Sequence, residues 1–426
     1  MVRRRILLLG GTSRLIKKVA GLNLDVVNVR AALDLDPAAA RFCTEIHEVD
    51  VSSTTDVAQL VERLQARAPF DRIICHSEPL QMLSGHLSTH FGIPGNSFDT
   101  VQALRDKYRL RSLLREHGVR TIAAQIVTNE QDIQDFAERH GGAVVKPRSG
   151  DGSVGIHFVH GAEDAAAAWK WASSIGLSEM LAEEIIEGTE VSLEFFSVNG
   201  THIPLAATTK ELSSGSVELG HAVPAPLTER QFDEAARLVR AVLDVAGLTW
   251  GPSHTEVILT AHGPELVESH SRRAGGHINE LVRLVYGIDM ERLAFELAAD
   301  DASRLPDVPS ATKAAAIRFL IAEPGEIQDI SGVSSVMAVP DVAEVEIYAS
   351  PGGVSRGLRW SGDYAGHVIA TGASADDAMA RATLHASQIQ IRTRGFEEVP
   401  YPRGKVFAEE VDQAFDAFDA SVTARK

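Results

Sequence analysis

Lys146 ends a short β-branched run, Val144-Val145, and is followed by Pro147-Arg148-Ser149-Gly150-Asp151-Gly152-Ser153-Val154-Gly155. A lysine is a compact point charge, and closely spaced glycines let backbone amides turn toward one anion. Such a stretch is equipped to hold phosphates. Gly150, Gly152 and Gly155 satisfy G-x-G-x-x-G, but the dinucleotide-binding form needs a helix directly after the glycines. Here Ile156-His157-Phe158-Val159 follows, and it is strand-like. The expectation is a β-hairpin whose glycine flap closes over a nucleotide's phosphates; a glycine-rich surface turn is the alternative.

The second stretch with chemical content is Ser253 to Thr260, Ala261-His262-Gly263, then Pro264 to Arg272. It reads as two strands around a three-residue loop with glycine last. If Thr260 faces Pro264, Glu256 faces Glu268, and opposed residues have Cβ atoms about 4.5 to 5.5 Å apart. Alternation adds His254, His270 and Arg272 to that face. Converging carboxylates beside positive charge suit a magnesium ion and a transferring phosphate. The competing explanation is a surface network in which Arg272 relieves the glutamate pair. Gly275-Gly276, just before an expected helix Ile278 to Tyr286, is a further anion-binding candidate or an ordinary turn.

The remaining elements must bring these stretches together. Ile6 to Leu9, Leu24 to Val29 and Arg72 to Cys75 read as buried strands of a small parallel α/β domain ending near residue 95. Glu78 opens a helix after a strand, where it either caps that helix or meets a ligand. Asp99 to His117 is expected as one helix carrying Lys107, which either reaches the site or is a solvated charge. Glu130 to His140, Asp164 to Ile175 and Thr228 to Leu248 read as helices, and Asn199-Gly200 as a hairpin turn. Beyond residue 300, strands are expected at 314–322, 342–349 and 367–371, with helices at 375–392 and 409–426.

The 426 residues suffice for two or three domains, and the formal net charge of -17 excludes a nucleic-acid surface. Cys43 and Cys75 are the only cysteines, which excludes a disulfide scaffold or cysteine zinc site and suits the cytoplasm. No stretch approaches the roughly 20 apolar residues of a membrane span. A protein kinase is excluded because its lysine follows the glycine loop, whereas Lys146 precedes this one.

Taken in order, Asp106-Lys107, Lys146 before the flap, Glu183-Glu184-Ile185-Ile186-Glu187-Gly188-Thr189-Glu190, His254-Thr255-Glu256 and Glu268 with Arg272 resemble the ATP-grasp superfamily. Within it, the chain resembles the carboxylate-amine ligases of the L-amino acid ligase branch. The resemblance implies a mixed α/β and α+β architecture. Residues 1–97 would form a Rossmann-like preATP-grasp domain, 98–205 the hinge helices and lid, and 206–426 the catalytic subdomain with a biotin carboxylase-like closing region.

The resemblance also implies roles. Lys107 and Lys146 would contact the phosphates of ATP, and Ser149, Gly150, Gly152, Ser153 and Gly155 would close over them. Glu184 and Ile186, with the Glu183 side chain, would hold adenine, and Glu190 the ribose. Glu256 and Glu268 would bind magnesium, or manganese in its place. His270 stands where many members carry asparagine, and either joins the metal or points at substrate. Arg272 would face the γ-phosphate and acyl phosphate, with His221, Glu78, Gly275 and Gly276 toward the substrate. A small Gly276 suggests room for a larger acid. The implied reaction joins two amino acids, with no nucleic-acid or membrane partner and with a homodimer left open. A bicarbonate-using carboxylase and an ATP-binding regulator without catalysis are the alternatives.

Overall fold

The computed structural model describes residues 3–32, 35–149, 155–213, 217–300, 308 and 310–395. Strands β1 (Arg4–Leu9), β2 (Leu24–Arg30), β3 (Glu45–Glu48) and β4 (Arg72–Cys75) form a parallel sheet in the order β3-β2-β1-β4. Parallel strands covered on both faces read as unbroken apolar runs. Accordingly Leu7, Leu9, Val27 and Val29 pack on Val57, Val61, Leu83 and Leu87 of the helices Thr54–Arg67 and Gln81–Phe91. On the other face, Ile6, Leu8 and Val26 share a core with helices Ile278–Tyr286 and Met290–Asp300. That core fixes the amino-terminal sheet against the strands that carry the site.

Strands β5 (Ala124–Val127), β6 (Ala143–Lys146), β7 (His157–Val159) and β8 (Met180–Glu183) form a second sheet, in the order β5-β8-β6-β7. The hairpin around the flap is present, with Ala143, Val144 and Val145 paired to Val159, Phe158 and His157. Gly150, Gly152 and Ser153 lie outside the described residues, as does the expected helix 409–426.

The central sheet comprises β9 (Thr189–Val198), β10 (Thr201–Leu212), β11 (Glu218–Val223), β12 (Trp250–Thr260), β13 (Gly263–His270) and β14 (Ala314–Leu320). A small sheet is built from β15 (Gly325–Ser331), β17 (Val354–Ser355) and β19 (Gln390–Arg394), while β16 (Val342–Ile347) and β18 (Gly366–Gly372) extend the central one. The central order is β13-β12-β9-β10-β11-β14-β18-β16. Asn199 and Gly200 join β9 to β10 with φ of 50° and 77°, as a tight hairpin turn demands. The expected division at residue 205 falls inside β10, and β9 and β10 belong to the same sheet.

Three differences from the sequence expectation matter for the site. The helix Asp99 to His117 is two helices, Phe98–Arg105 and Lys107–Glu116. Asp106 ends the first with an extended backbone and caps the second, its carboxylate accepting from Arg109 N. Lys107 thereby sits on the first turn of a new helix. Between β12 and β13 the turn has two residues, not three, since Thr260 pairs with Gly263. A bulge at Val267 then restores the register, so that Glu256 does oppose Glu268. The helix expected to run to Arg392 stops at Ser387, because Gln390-Ile391-Arg392-Thr393-Arg394 alternates and pairs as β19. Among the described residues no helix is long and apolar enough to cross a membrane.

Candidate functional site

Five neighbouring strands of the central sheet and three strands of the second sheet face a cleft of about 590 Å³. That volume is in the range of small-molecule sites. The central sheet contributes Glu190, Lys210, Glu218, Glu256 and Glu268; the second sheet contributes Lys146 and Glu183; Lys107 enters from its helix start. The hinge at Asp106 is anchored, since Lys107 N donates to Arg148 O at 3.0 Å.

The carboxylates of Glu183, Glu190, Glu218, Glu256 and Glu268 are each met by a lysine. Glu268 Oε2 lies 2.8 Å from Lys107 Nζ, and its Oε1 lies 2.9 Å from His270 Nε2. Burial pushes the Glu268 carboxyl up, yet Lys107 and His270 outweigh it and hold the group well below the carboxylate range. Glu256 is desolvated too, and repelled by Glu268, but Lys210 and His254 bring it down to about 2. Lys210 Nζ reaches Glu256 Oε1 at 2.6 Å, Glu190 Oε1 at 2.8 Å and Glu218 Oε1 at 3.1 Å. Behind Glu256, His254 donates through Nε2 to Glu256 Oε1 at 3.2 Å and through Nδ1 to Glu194 Oε1 at 3.0 Å. Burial disfavours its charge, but Glu194 and Glu256 raise it to about 10.

On the lid side, Lys146 Nζ is 2.7 Å from Glu183 Oε2, while Arg111 Nε donates to Glu183 Oε1 at 2.8 Å. The Glu183 carboxylate is thus engaged by two cations and orients Lys146. Glu184 and Ile186 line the cleft, and Glu184 N already donates to Ala123 O at 3.2 Å. The carbonyl of Glu184 is then its remaining backbone group.

Past Glu268 the chemistry changes. Glu78, at the start of a 3-10 turn Glu78–Leu80, bonds Arg272 Nε and lies 3.5 Å from His270 Nδ1 and 3.6 Å from an Arg105 nitrogen. His270 therefore bridges Glu268 and Glu78 with its two ring nitrogens. His221, fully buried, approaches Glu218 Oε2 at 3.3 Å. A Cβ built on Gly276, where φ is +56°, would come within 2.7 Å of His221 Nε2. The expectation of extra room at Gly276 is corrected: His221 fills that space, and glycine permits its approach. Gly275 faces no atom within 4 Å of such a Cβ.

Glu256 and Glu268 suit a magnesium or manganese ion, because opposed ionised carboxylates offer hard oxygen donors. His270 suits it poorly as a ligand, since both ring nitrogens face carboxylates and imidazole prefers other metals. The structure thus brings together Lys107, Lys146, Glu183, Glu190, Glu256, Glu268, His270, Arg272 and Glu78. Ser149 lines the same cleft. Sequence reasoning missed Lys210, Arg111, Glu194 and Glu218. Lys210 continues the strand opened by Thr201 and stands opposite His221, a register signal visible only once β10 and β11 are paired.

Residues 141–280 match the ATP-grasp domain, and residues 318–394 match the L-amino acid ligase C-terminal domain 2. An L-arginine-specific L-amino acid ligase of Bacillus subtilis is 24% identical over 250 residues, which are 57% of this chain and 60% of that protein. The fold resembles that of an L-amino acid ligase from Bacillus licheniformis, with a TM-score of 0.79 at 19% identity, covering 93% of this chain and all (100%) of the other. It also resembles biotin carboxylase from Campylobacter jejuni, with a TM-score of 0.66 at 15% identity, covering 91% and 92% of the two chains.

Proposed function

We propose that this chain, which carries an ATP-grasp domain joined to an L-amino acid ligase C-terminal domain, is an ADP-forming ligase that joins the carboxylate of one amino acid to the amine of another. The observation that supports this most is the meeting of opposed Glu256 and Glu268 with Lys107, Lys146 and Lys210 in one cleft.

In this reading the acid's carboxylate attacks the γ-phosphate, ADP leaves, and an acyl phosphate results. The amine of the second amino acid then displaces phosphate and forms the amide. Phosphoryl transfer asks for positioning and charge neutralisation more than covalent help. Lys107 and Lys146 exchange Glu268 and Glu183 for the phosphates, and Ser149, Gly155 and the flap between them shield the intermediate from water. A divalent ion held by Glu256 and Glu268 supplies further neutralising charge when bound. Backbone groups of Glu184 and Ile186, with the Glu183 side chain, hold adenine, and Glu190 the ribose.

Arg272, fixed by Glu78, faces the transferring group, while His221, Gly275 and Gly276 border the acid. In domain terms we assign 1–97 to scaffold, the lid sheet to nucleotide closure, and the rest to catalysis. The free Cys43 and Cys75 fit a cytoplasmic setting.

The test is phosphate release from ATP with magnesium and pooled amino acids, with mass detection of products. Amino-acid-dependent phosphate release with a dipeptide mass is expected. Release that requires bicarbonate and ignores amino acids, or nucleotide binding without any release, overturns the reading.

A further inference from the structure

A second group of ligating side chains lies where the C-terminal strands meet the turn before helix Ile278–Tyr286. Glu344 and Glu346 share one face of β16, Tyr348 follows just past its end, and Glu346 pairs across the sheet with His367 of β18. His277 reaches them from the N-cap of the helix with φ of +59°, a conformation that costs a non-glycine residue about 1–3 kcal/mol. Its ring lies over that of His367, with centroids 4.1 Å apart.

The two rings aim at one point. His277 Nε2 lies 2.9 Å, and His367 Nδ1 2.7 Å, from the Tyr348 hydroxyl. One ligand atom from each of His277, Glu346 and His367 lies within 4.8 Å of the others. On the far side of its ring, buried His367 Nε2 has no hydrogen-bond partner, and Glu344 Oε1 stands 3.5 Å away. A carboxylate behind the second nitrogen is the arrangement that orients a metal-ligating histidine.

We propose that His277, His367 and Glu346 bind a transition-metal dication of the zinc type, which takes the position at which the Tyr348 hydroxyl now joins the two rings. Two imidazoles and one carboxylate favour zinc, nickel or copper over magnesium, unlike the all-oxygen pair Glu256 and Glu268. The ion would tie the Gly275-Gly276 turn to the C-terminal strands. The site stands apart from the ligase reading and does not depend on it.

The test uses the full chain, stripped with chelator and titrated calorimetrically with zinc chloride in the Glu268→Gln background, which disables the all-oxygen pair. Saturable binding of one zinc per chain is expected, unaffected by millimolar magnesium and accompanied by a rise in Tm. Glu346→Ala and His277→Ala should each weaken it about tenfold or more, and Glu344→Gln by about tenfold to a hundredfold. Tyr348→Phe removes the competing hydroxyl and should tighten binding. Glu346 is exposed, so its variant keeps the fold where the buried His367 would not. Absence of saturable zinc binding, or binding unchanged in the His277→Ala/Glu346→Ala double variant, overturns the proposal.

Discussion

The two ends of the site neutralise their carboxylates differently. At the end that lines the cleft, Glu268, Glu183 and Glu256 are each met by a lysine, at 2.8, 2.7 and 2.6 Å. At the other end Glu78 is met by Arg272, Arg105 and His270. A lysine is a point charge on a flexible stem and can leave its carboxylate for a phosphate with little loss of geometry. A guanidinium is planar and directional, and with an imidazole beside it fixes an angle as well as a charge. One end is built to hand charge over, the other to hold a direction.

Substitution of the charges should have the largest effect. Lys146→Ala or Glu268→Ala is expected to lower ATP-dependent phosphate release by about 10²- to 10³-fold, the scale of losing one preorganised electrostatic partner. The contrast sharpens with conservative changes: Lys107→Arg should retain more activity than Arg272→Lys. If Arg272→Lys matches the wild type, the directional account of that end fails.

Next in size is a pH effect confined to the cleft end. His254, between Glu194 and Glu256, has its folded pKa raised to about 10, against about 6.5 unfolded. A raised pKa contributes stability that is whole below the unfolded value and is lost as pH rises toward the folded one. The wild-type Tm should therefore decline between about pH 6.5 and 10, and His254→Gln should flatten that decline. A decline of equal slope in the variant would place its origin elsewhere.

The smallest effect is expected at Gly276. Gly276→Ala should destabilise by about 1–3 kcal/mol, because alanine resists φ of +56° and its Cβ meets His221. In a His221→Ala background the steric part should vanish and the backbone part remain. Denaturant melts of the four proteins separate the two.

Much of this was legible from spacing alone. Glu256 and Glu268 could be paired because turn chemistry fixes register, and the hairpin around the flap followed from β-branched runs flanking glycines. The register nonetheless came out right for a different reason, with a shorter turn offset by a bulge that no local pattern announces. Asp106 was hidden because a helical period continues through it; only its capping geometry divides the helix and aims Lys107. Lys210, Arg111 and Glu194 were invisible for a common cause: each gains its role from a strand or helix distant in sequence. The Gly276 reading failed because a glycine's missing side chain leaves space only if no neighbour claims it, and His221 does.

The bulge at Val267 has one more consequence. Arg111 Nη2 donates to both Leu266 O and Val267 O, at 2.8 and 2.9 Å, while Arg111 Nε holds Glu183. The surplus residue is therefore anchored rather than free to slide along its strand. Deleting Val267 alone would slide Glu268 into its place opposite Glu256 across the unchanged two-residue turn, so the carboxylate pairing survives loss of the bulge whereas the anchor to Val267 O does not.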